Sequence, residues 1–173
     1  TITSTDVGST GYEIITSNLT NLTYVPNTNY NGNDTFDWNG NDGTVYATLG
    51  AKVNITITPV NDLPVANDDT VNVAEDSTNN VINVLVNDTD IDTTDILSIC
   101  DITNTSDFVA PTNGTVTLVT DVNSVNYNKF IYTPNTNYNG SDTFKYKACD
   151  NNSGKSNLAI VTITITPVND SPT

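Results

Sequence analysis

A long internal repeat is the feature of this sequence that most constrains its fold. The segment Tyr24–Phe36 returns with two substitutions as Tyr132–Phe144, and the eight residues from Ile55 return unchanged from Ile163. Both recurrences have an offset of 108 residues, and the ungapped alignment that starts at Tyr24 has 23 identities in 42 positions. Shared composition does not produce that identity, so the sequence predicts a structural module with a 108-residue period.

The period divides the 173-residue chain unevenly. We expect residues 1–62 to be the C-terminal part of a first module, residues 63–170 to be a complete second module, and residues 171–173 to begin the next linker. Strands near the start of the complete module have no counterpart in residues 1–62. An unpaired half-sandwich exposes strand edges, so we expect the missing strands to come from a longer parent chain or from a neighbouring subunit.

Short alternating segments predict an all-β fold for the second module. Its candidate strands are Thr70–Ala74, Val81–Asn87, Ile96–Ile102, Thr115–Thr120, Phe130–Thr133, Thr143–Cys149 and Leu158–Thr166. Seven short strands separated by Asn, Asp, Gly and Pro turns are typical of a Greek-key β-sandwich. No segment has a helical period, so we expect very little helix. Tyr132, Tyr138 and Phe144 are expected to pack in the core or over its end, and Trp38, which aligns with Tyr146, is expected in a core position.

The charge of the chain excludes several classes of function. It has 20 acidic residues, five basic residues and no His, which gives a net charge of −15. Without His there is no Ser–His or Cys–His nucleophile system, so we do not expect an enzyme. A strongly negative chain repels nucleic acid, and no apolar run approaches the roughly 18 residues of a membrane span. Carboxylates and amide carbonyls instead suit a hard cation, above all Ca²⁺.

The densest group of acidic residues lies in one short segment. Asp88, Asp90, Asp92 and Asp95 fall within eight residues. A single Asp of this kind often forms only an Asx turn, and that interpretation stays open for each of them. Four together favour a cation, because two like charges 4 Å apart cost about 4 kcal/mol at an effective dielectric constant of 20.

Three segments carry a resemblance to a known family: the linker TPVNDLP (Thr58–Pro64), the run VLVNDTDID (Val84–Asp92) and the segment KACDNNSGKSN (Lys147–Asn157). With them the chain resembles the cadherin-like or bacterial immunoglobulin-like tandem repeats of large secreted adhesins and cell-surface proteins. The resemblance covers essentially the whole chain. In cadherins the corresponding elements bind Ca²⁺ between successive domains.

The resemblance implies a set of metal ligands. At the linker before the second module these are Asn61 and Asp62, together with Asp90, Asp92 and Asp150 from the adjacent end of the module. Asp88 is an additional candidate that has no clear counterpart in the family. At the far junction the implied ligands are Glu75, Asn169 and Asp170. The Asp-Arg-Glu element of the family is missing, so we expect fewer or weaker calcium ions at each junction than in an animal cadherin.

Cys100 and Cys149 both lie in the second module, 49 residues apart. In an oxidising compartment they would form a disulfide, and elsewhere they would be two buried thiols. The sequence leaves both interpretations open.

These features predict a structural repeat of a bacterial extracellular adhesin or surface filament, made rigid by calcium at its junctions. Its partners would be neighbouring modules of the same chain or neighbouring protomers. One alternative is a self-assembling fibre subunit that is completed by a strand from the next protomer. A second is a carbohydrate-binding accessory module with glycan partners, which would need an exposed row of aromatic side chains.

Overall fold

The computed structural model describes residues 2–3 and 23–170 of the chain. Its strands are β1 (Ile2–Thr3), β2 (Tyr24–Val25), β3 (Gly32–Trp38), β4 (Ala51–Ile57), β5 (Asp69–Ala74), β6 (Asn80–Ile82), β7 (Ser98–Ile99), β8 (Phe108–Val109), β9 (Gly114–Leu118), β10 (Phe130–Pro134), β11 (Gly140–Tyr146), β12 (Ala148–Cys149) and β13 (Ala159–Thr166). The described ranges otherwise contain one 3-10 turn, Val84–Val86, and no helix long and apolar enough to cross a membrane.

The chain divides into two compact units, Thr1–Val60 and Asn61–Thr173, which we call unit 1 and unit 2. In unit 2 the larger sheet has the strand order β5-β13-β11-β8, and the smaller sheet has the order β6-β10-β9. The first and last strands, β5 and β13, are parallel, whereas β11 and β10 pair antiparallel with their neighbours. A short pair, β7 with β12, lies beside them.

The two sheets of unit 2 enclose one hydrophobic core. Along β13 the side chains of Val161 and Ile163 are fully buried, while the intervening Thr residues point away from the core. Phe130 of the smaller sheet meets Phe144 of the larger one edge to face, with ring centroids 5.0 Å apart. The fold is therefore all-β with open sheets, in agreement with the predicted Ig-like sandwich class.

A buried carboxylate fixes one end of this core. Asp142 is 3% exposed and accepts hydrogen bonds from the Tyr132 hydroxyl (2.9 Å) and from the backbone N–H groups of Asn113 (3.0 Å) and Thr143 (2.9 Å). Burial, together with the neighbouring Asp142 carboxylate, raises the pKa of the Tyr132 hydroxyl. Hydrogen-bond donors reach both oxygens of this buried carboxylate, and these bonds offset the free energy that the carboxylate loses when it leaves water. The predicted core placement of Tyr132 and Phe144 is confirmed, and Tyr138 packs partly buried against the core.

Two predicted strands are shorter than expected because their backbone groups bond to side chains instead of to another strand. The segment Val81–Asn87 leaves the sheet after Ile82, and the carbonyl of Val84 accepts a hydrogen bond from a core tyrosine hydroxyl (3.0 Å). The segment Ile96–Ile102 is a strand only at β7, and before it the N–H of Ile96 and the carbonyl of Leu97 bond to Asn side chains. Strand β8 was not predicted.

Unit 1 contains a hairpin that repeats one from unit 2. Strands β3 and β4 pair in the same register as β11 and β13 after a shift of 108 residues, so that Gly32 faces Ile57 as Gly140 faces Ile165. The expected core position of Trp38 is wrong, because this side chain is 54% exposed whereas Tyr146 is fully buried.

The reason for the difference lies in what covers each ring. The hydroxyl of Tyr146 reaches the carbonyl of Val84 and the carboxylate of Asp88, which follow the β6 segment of unit 2. Among the described residues of unit 1, β3 and β4 pair only with each other, and no hydrogen bond comparable to those of Tyr146 covers Trp38. The prediction for Trp38 therefore assumed a cover that the described residues of unit 1 do not provide.

Candidate metal site at the linker end of unit 2

The linker is hydrogen-bonded to the end of unit 2 at which β5 and β13 begin. The Asn61 side-chain amide donates to the Asp150 carboxylate (3.0 Å), and the Asp62 backbone N–H donates to the Asp92 carboxylate (2.8 Å). In turn, the backbone N–H of Asp92 donates to Asp90 (2.9 Å). Each of the five residues implied at this junction thus shares a hydrogen bond with another residue of the same set.

Three carboxylates converge beside this linker. One oxygen each from Asp90, Asp95 and Asp150 lies within 4.8 Å of the others, and we call these three residues the acidic cluster. Asp90 and Asp95 lie in the loop between the 3-10 turn and β7, and Asp150 directly follows β12. Because like charges at this spacing repel one another, the arrangement has an electrostatic cost unless a cation neutralises it.

One oxygen of the acidic cluster lacks a partner. Asp90 Oδ2 is shielded from solvent and accepts no hydrogen bond from the described residues, whereas its Oδ1 accepts one from the N–H of Asp92. A buried carboxylate oxygen without a donor is uncommon in folded proteins, and a bound ion is one explanation of such a group. Calcium binds 6–8 oxygens at about 2.3–2.6 Å, so oxygens on opposite sides of the ion are about 5 Å apart. The cluster fits an ion of this size.

Asp150 is held in its ionised form by a turn. Its Oδ1 accepts hydrogen bonds from the N–H groups of Asn152 (2.8 Å) and Gly154 (2.7 Å). The hydrogen bond from Asn61, together with these backbone donors, lowers the pKa of the Asp150 carboxyl. A Cβ atom at Gly154 would collide with the Asp150 carboxylate, so glycine is required for this close approach. An ionised, fixed carboxylate is suited to binding a cation.

The described part of this chain matches one known family. The family model for the bacterial Ig domain matches residues 61–166, which is more than half of the 173 residues. The chain belongs to the bacterial Ig domain family. Such domains are typically non-enzymatic and commonly occur in surface proteins. No curated protein matches the chain.

Asp88 lies on the same loop of the bacterial Ig domain as Asp90, but it has other partners. Its carboxylate accepts hydrogen bonds from the Tyr146 hydroxyl (2.9 Å) and from the N–H of Asn67 (2.8 Å). Burial raises the pKa of Asp88 and, with the nearby charge of Asp88, raises that of Asp69 to about 6. The structure therefore places Asp88 in a contact with the core tyrosine and outside the acidic cluster.

The other three implied ligands lie at the opposite end of the domain, where β5 and β13 finish. Glu75 is 5% exposed, and its two oxygens accept hydrogen bonds from the N–H of Val168 (2.6 Å) and the side chain of Asn139 (2.9 Å). The Asn169 side chain donates to the carbonyl of Asp170 (3.2 Å), as Asn61 does to Asp62 at the first linker. Within residues 23–170, three carboxylates converge only at the linker end.

Asp95 belongs to the acidic run that favoured a cation, but it was not among the implied ligands. It lies five residues after Asp90 in the same acidic run, and membership of that run is its sequence signal. Its proximity to Asp150 is visible only in the structure. The Asn152 side chain donates to both oxygens of Asp95 (2.9 Å each), which joins the two loops of the acidic cluster.

The structure joins Cys100 and Cys149 in a disulfide with a Cα–Cα distance of 5.2 Å. Cys100 is buried, and Cys149 pairs with Ser98 between β12 and β7. The disulfide lies next to the acidic cluster, because Asp150 is the residue after Cys149.

Proposed function

We propose that this chain is a segment of tandem bacterial Ig domains in an extracellular adhesin or surface filament, in which calcium fixes the linker to the domain that follows it. The acidic cluster of Asp90, Asp95 and Asp150 would hold the ion, with Asn61 and Asp62 of the linker and Asp92 beside it. The role is mechanical: the ion neutralises the converging carboxylates and makes the linker less mobile.

The solvent-shielded Oδ2 of Asp90 carries this proposal. Among the described residues that are not exposed, every other side-chain oxygen so fully shielded from solvent has a hydrogen-bond partner, and the carboxylate of Asp90 converges with two others. The linker supports the same conclusion, since Asn61 and Asp62 each bond to an acidic residue of the domain. Sites of this kind in extracellular modules bind calcium at about 10⁻⁴–10⁻³ M, so they are filled outside cells and empty inside.

Small-angle X-ray scattering on the full chain tests the mechanical role. In excess calcium we expect a larger maximum dimension and a narrower distribution of interatomic distances than in chelator, because a stiffer linker samples fewer arrangements. The variant Asp90→Asn should behave in calcium as the unsubstituted chain does in chelator. A maximum dimension that is the same with calcium and with chelator would refute the stiffening.

A second function, completion of unit 1 by a strand from another protomer, is favoured by the β3–β4 hairpin. Strand β4 has the sequence AKVNITI, close to AIVTITI in β13, and it pairs with β3 in the register of the unit 2 hairpin. In unit 2 the second edge of β13 carries β5, whereas among the described residues nothing pairs with the second edge of β4. An edge of this kind accepts an added strand.

Light scattering of the purified chain over a range of concentrations distinguishes the two functions. Strand exchange predicts oligomers that grow with concentration, and it predicts that Ile55→Asp restores the monomer by charging the half-buried face of β4. Asn54→Asp, on the exposed face of the same strand, is the matched control and should leave the oligomers intact. A chain that is monomeric at all concentrations excludes this function and leaves the calcium-bound segment.

A further inference from the structure

The disulfide joins the two loops that carry the acidic cluster. Cys149 directly precedes Asp150, and Cys100 follows Asp95 by five residues. Between these loops the only ladder in the described residues is the pair of two-residue strands β7 and β12, extended by one hydrogen bond from the Cys100 N–H to the Lys147 carbonyl (3.0 Å). The covalent bond is therefore the strongest connection between Asp95 and Asp150.

Besides a part-buried hydrogen bond from the Ser98 hydroxyl to the Cys149 carbonyl (3.3 Å), two connections join the loops at positions exposed to water. The N–H of Ile96 donates to the Asn151 side chain (2.8 Å), and the Asn152 side chain donates to Asp95. Both are hydrogen bonds at exposed positions, where water competes for the same groups. Repulsion among the three carboxylates acts against them, because it pushes the loops apart whenever no cation is bound.

We propose that the Cys100–Cys149 disulfide positions the acidic cluster for its cation, so that the redox state of the disulfide sets the affinity of the site. This inference rests on the proposed calcium site. With the disulfide formed, the carboxylates are held together before the ion arrives, and less conformational freedom is lost on binding. With two thiols in its place, the loops separate and the ion must bring them back.

The chemistry of the switch is thiol–disulfide exchange. A dithiol reductant gives two electrons and two protons, the Sγ–Sγ bond breaks, Cys100 and Cys149 become thiols, and the reductant becomes a cyclic disulfide. Thermodynamic linkage makes the effect reciprocal. If the disulfide raises the affinity for calcium by some factor, the protein is harder to reduce in saturating calcium. The ratio of reduced to oxidised dithiol at which half of the protein is reduced must then rise by the same factor.

A chain in a reducing compartment would accordingly bind calcium weakly, and the site would gain its full affinity only after oxidation. Stiffening of the linker is then greatest where both conditions of the extracellular space are met, oxidation and calcium at about 10⁻³ M. At that calcium concentration the reduced site would be filled to a smaller extent than the oxidised site.

Calorimetric titration of the full chain with calcium chloride tests the proposal. The probes are the oxidised chain, the same chain kept reduced with dithiothreitol, and the double variant Cys100→Ala with Cys149→Ala, which keeps small apolar groups at both positions. We expect the dissociation constant to be about 5-fold or more higher for the reduced chain and the variant than for the oxidised chain. Dithiothreitol should not change the affinity of the variant, which controls for effects of the reductant itself.

The second measurement is a redox titration of the unsubstituted chain with mixtures of reduced and oxidised dithiothreitol, in saturating calcium and in chelator. We expect the midpoint ratio to rise in calcium by the same factor that separates the two dissociation constants. Equal affinities in the oxidised and reduced chains, or a midpoint independent of calcium, would overturn the inference while leaving the calcium site in place.

Two further outcomes are distinguishable from these. An oxidised chain that binds no calcium overturns the proposed function itself. A double variant that is unfolded by circular dichroism in calcium as well as in chelator contradicts the inference, because the disulfide would then be required for the core and not for the site. A variant that is folded in calcium and loosened in chelator supports it.

Discussion

At the scale of single residues, the oxygen of Asp90 without a donor has opposite effects on stability with and without a cation. In chelator, Asp90→Asn removes one of three converging charges and a buried carboxylate oxygen that lacks a partner. We therefore expect the variant to have the higher free energy of unfolding in chelator. In 10-fold to 100-fold excess of calcium over its dissociation constant, the unsubstituted chain gains about 1–3 kcal/mol from binding, and the order of the two proteins reverses.

Urea unfolding in both conditions measures this reversal. Asp121→Asn is the matched control, since it makes the same substitution at an exposed loop residue whose carboxylate accepts hydrogen bonds from the N–H and the side-chain amide of Asn123 and lies outside the acidic cluster. The control should respond to calcium as the unsubstituted chain does. A variant Asp90→Asn that is less stable than the parent in chelator as well would contradict the electrostatic explanation.

The tyrosine–aspartate pair that occurs in both units gives a second prediction at this scale. Tyr132→Phe removes a hydrogen bond to the buried carboxylate of Asp142 and should lower the free energy of unfolding of unit 2 by about 1.5–3 kcal/mol. Tyr24→Phe removes the matching bond to Asp34 in unit 1, where both groups are only half-buried, and should cost less. Urea unfolding followed by NMR signals of each unit compares them.

At the scale of the strands, equivalent positions in the two hairpins differ in burial. Ile163 on β13 is fully buried, and Ile55 at the equivalent place on β4 is half-buried. We expect Ile163→Ala to destabilise unit 2 by about 2–5 kcal/mol and Ile55→Ala to have a smaller effect on unit 1. Equal losses, measured by the same unit-resolved unfolding, would show that β4 is packed under a second layer in solution.

The start of β5 gives the domain a dependence on pH. Burial, and then the neighbouring Asp88, raise the pKa of Asp69 to about 6 from an ordinary value of 3.8. The folded state therefore binds more protons than the unfolded state between about pH 4 and pH 6, and the stability that Asp69 contributes is lost as the pH rises through this range. We expect the stability advantage of Asp69→Asn over the parent to grow from pH 4 to pH 7 in chelator, with Asp121→Asn as the control for net charge.

Alternation in the sequence predicted most strands because each of those strands buries one face. β13 is the clearest case, and its predicted range, Leu158–Thr166, begins one residue before the observed strand. In the segments that failed, Val81–Asn87 and Ile96–Ile102, backbone groups outside the observed strands bond to side chains of distant residues. Such bonds depend on which loops meet, and the pattern of one segment does not contain that information. β8 was missed for a related reason: it has two residues, too few for a period.

Part of the candidate site was also predictable from the sequence. Asn61, Asp90 and Asp150 were selected through the resemblance of their segments to a family, and the structure brings them to one end of the domain. Asp88 and Asp95 lie in the same run and could not be separated by sequence spacing. Only the packing of Tyr146 against Asp88 directs one carboxylate to the core and leaves Asp95 for the cluster.

At the scale of the whole molecule, the net charge of −15 has an uneven distribution. Much of it lies in loops at the ends of the strands, and three of the charges meet beside the linker. A repeated chain of such domains would present one acidic linker end per period of 108 residues. Calcium would then bind once per domain, and the stiffness of the whole array would depend on the occupancy of each such site.

Calcium binding to the oxidised full chain, measured by calorimetric titration, tests this account most directly. We predict binding with a dissociation constant of about 10⁻⁴–10⁻³ M, its loss in Asp90→Asn, and its retention in Asp121→Asn. Absence of binding to the unsubstituted chain, or equal affinity in Asp90→Asn, would contradict the assignment of calcium to the acidic cluster.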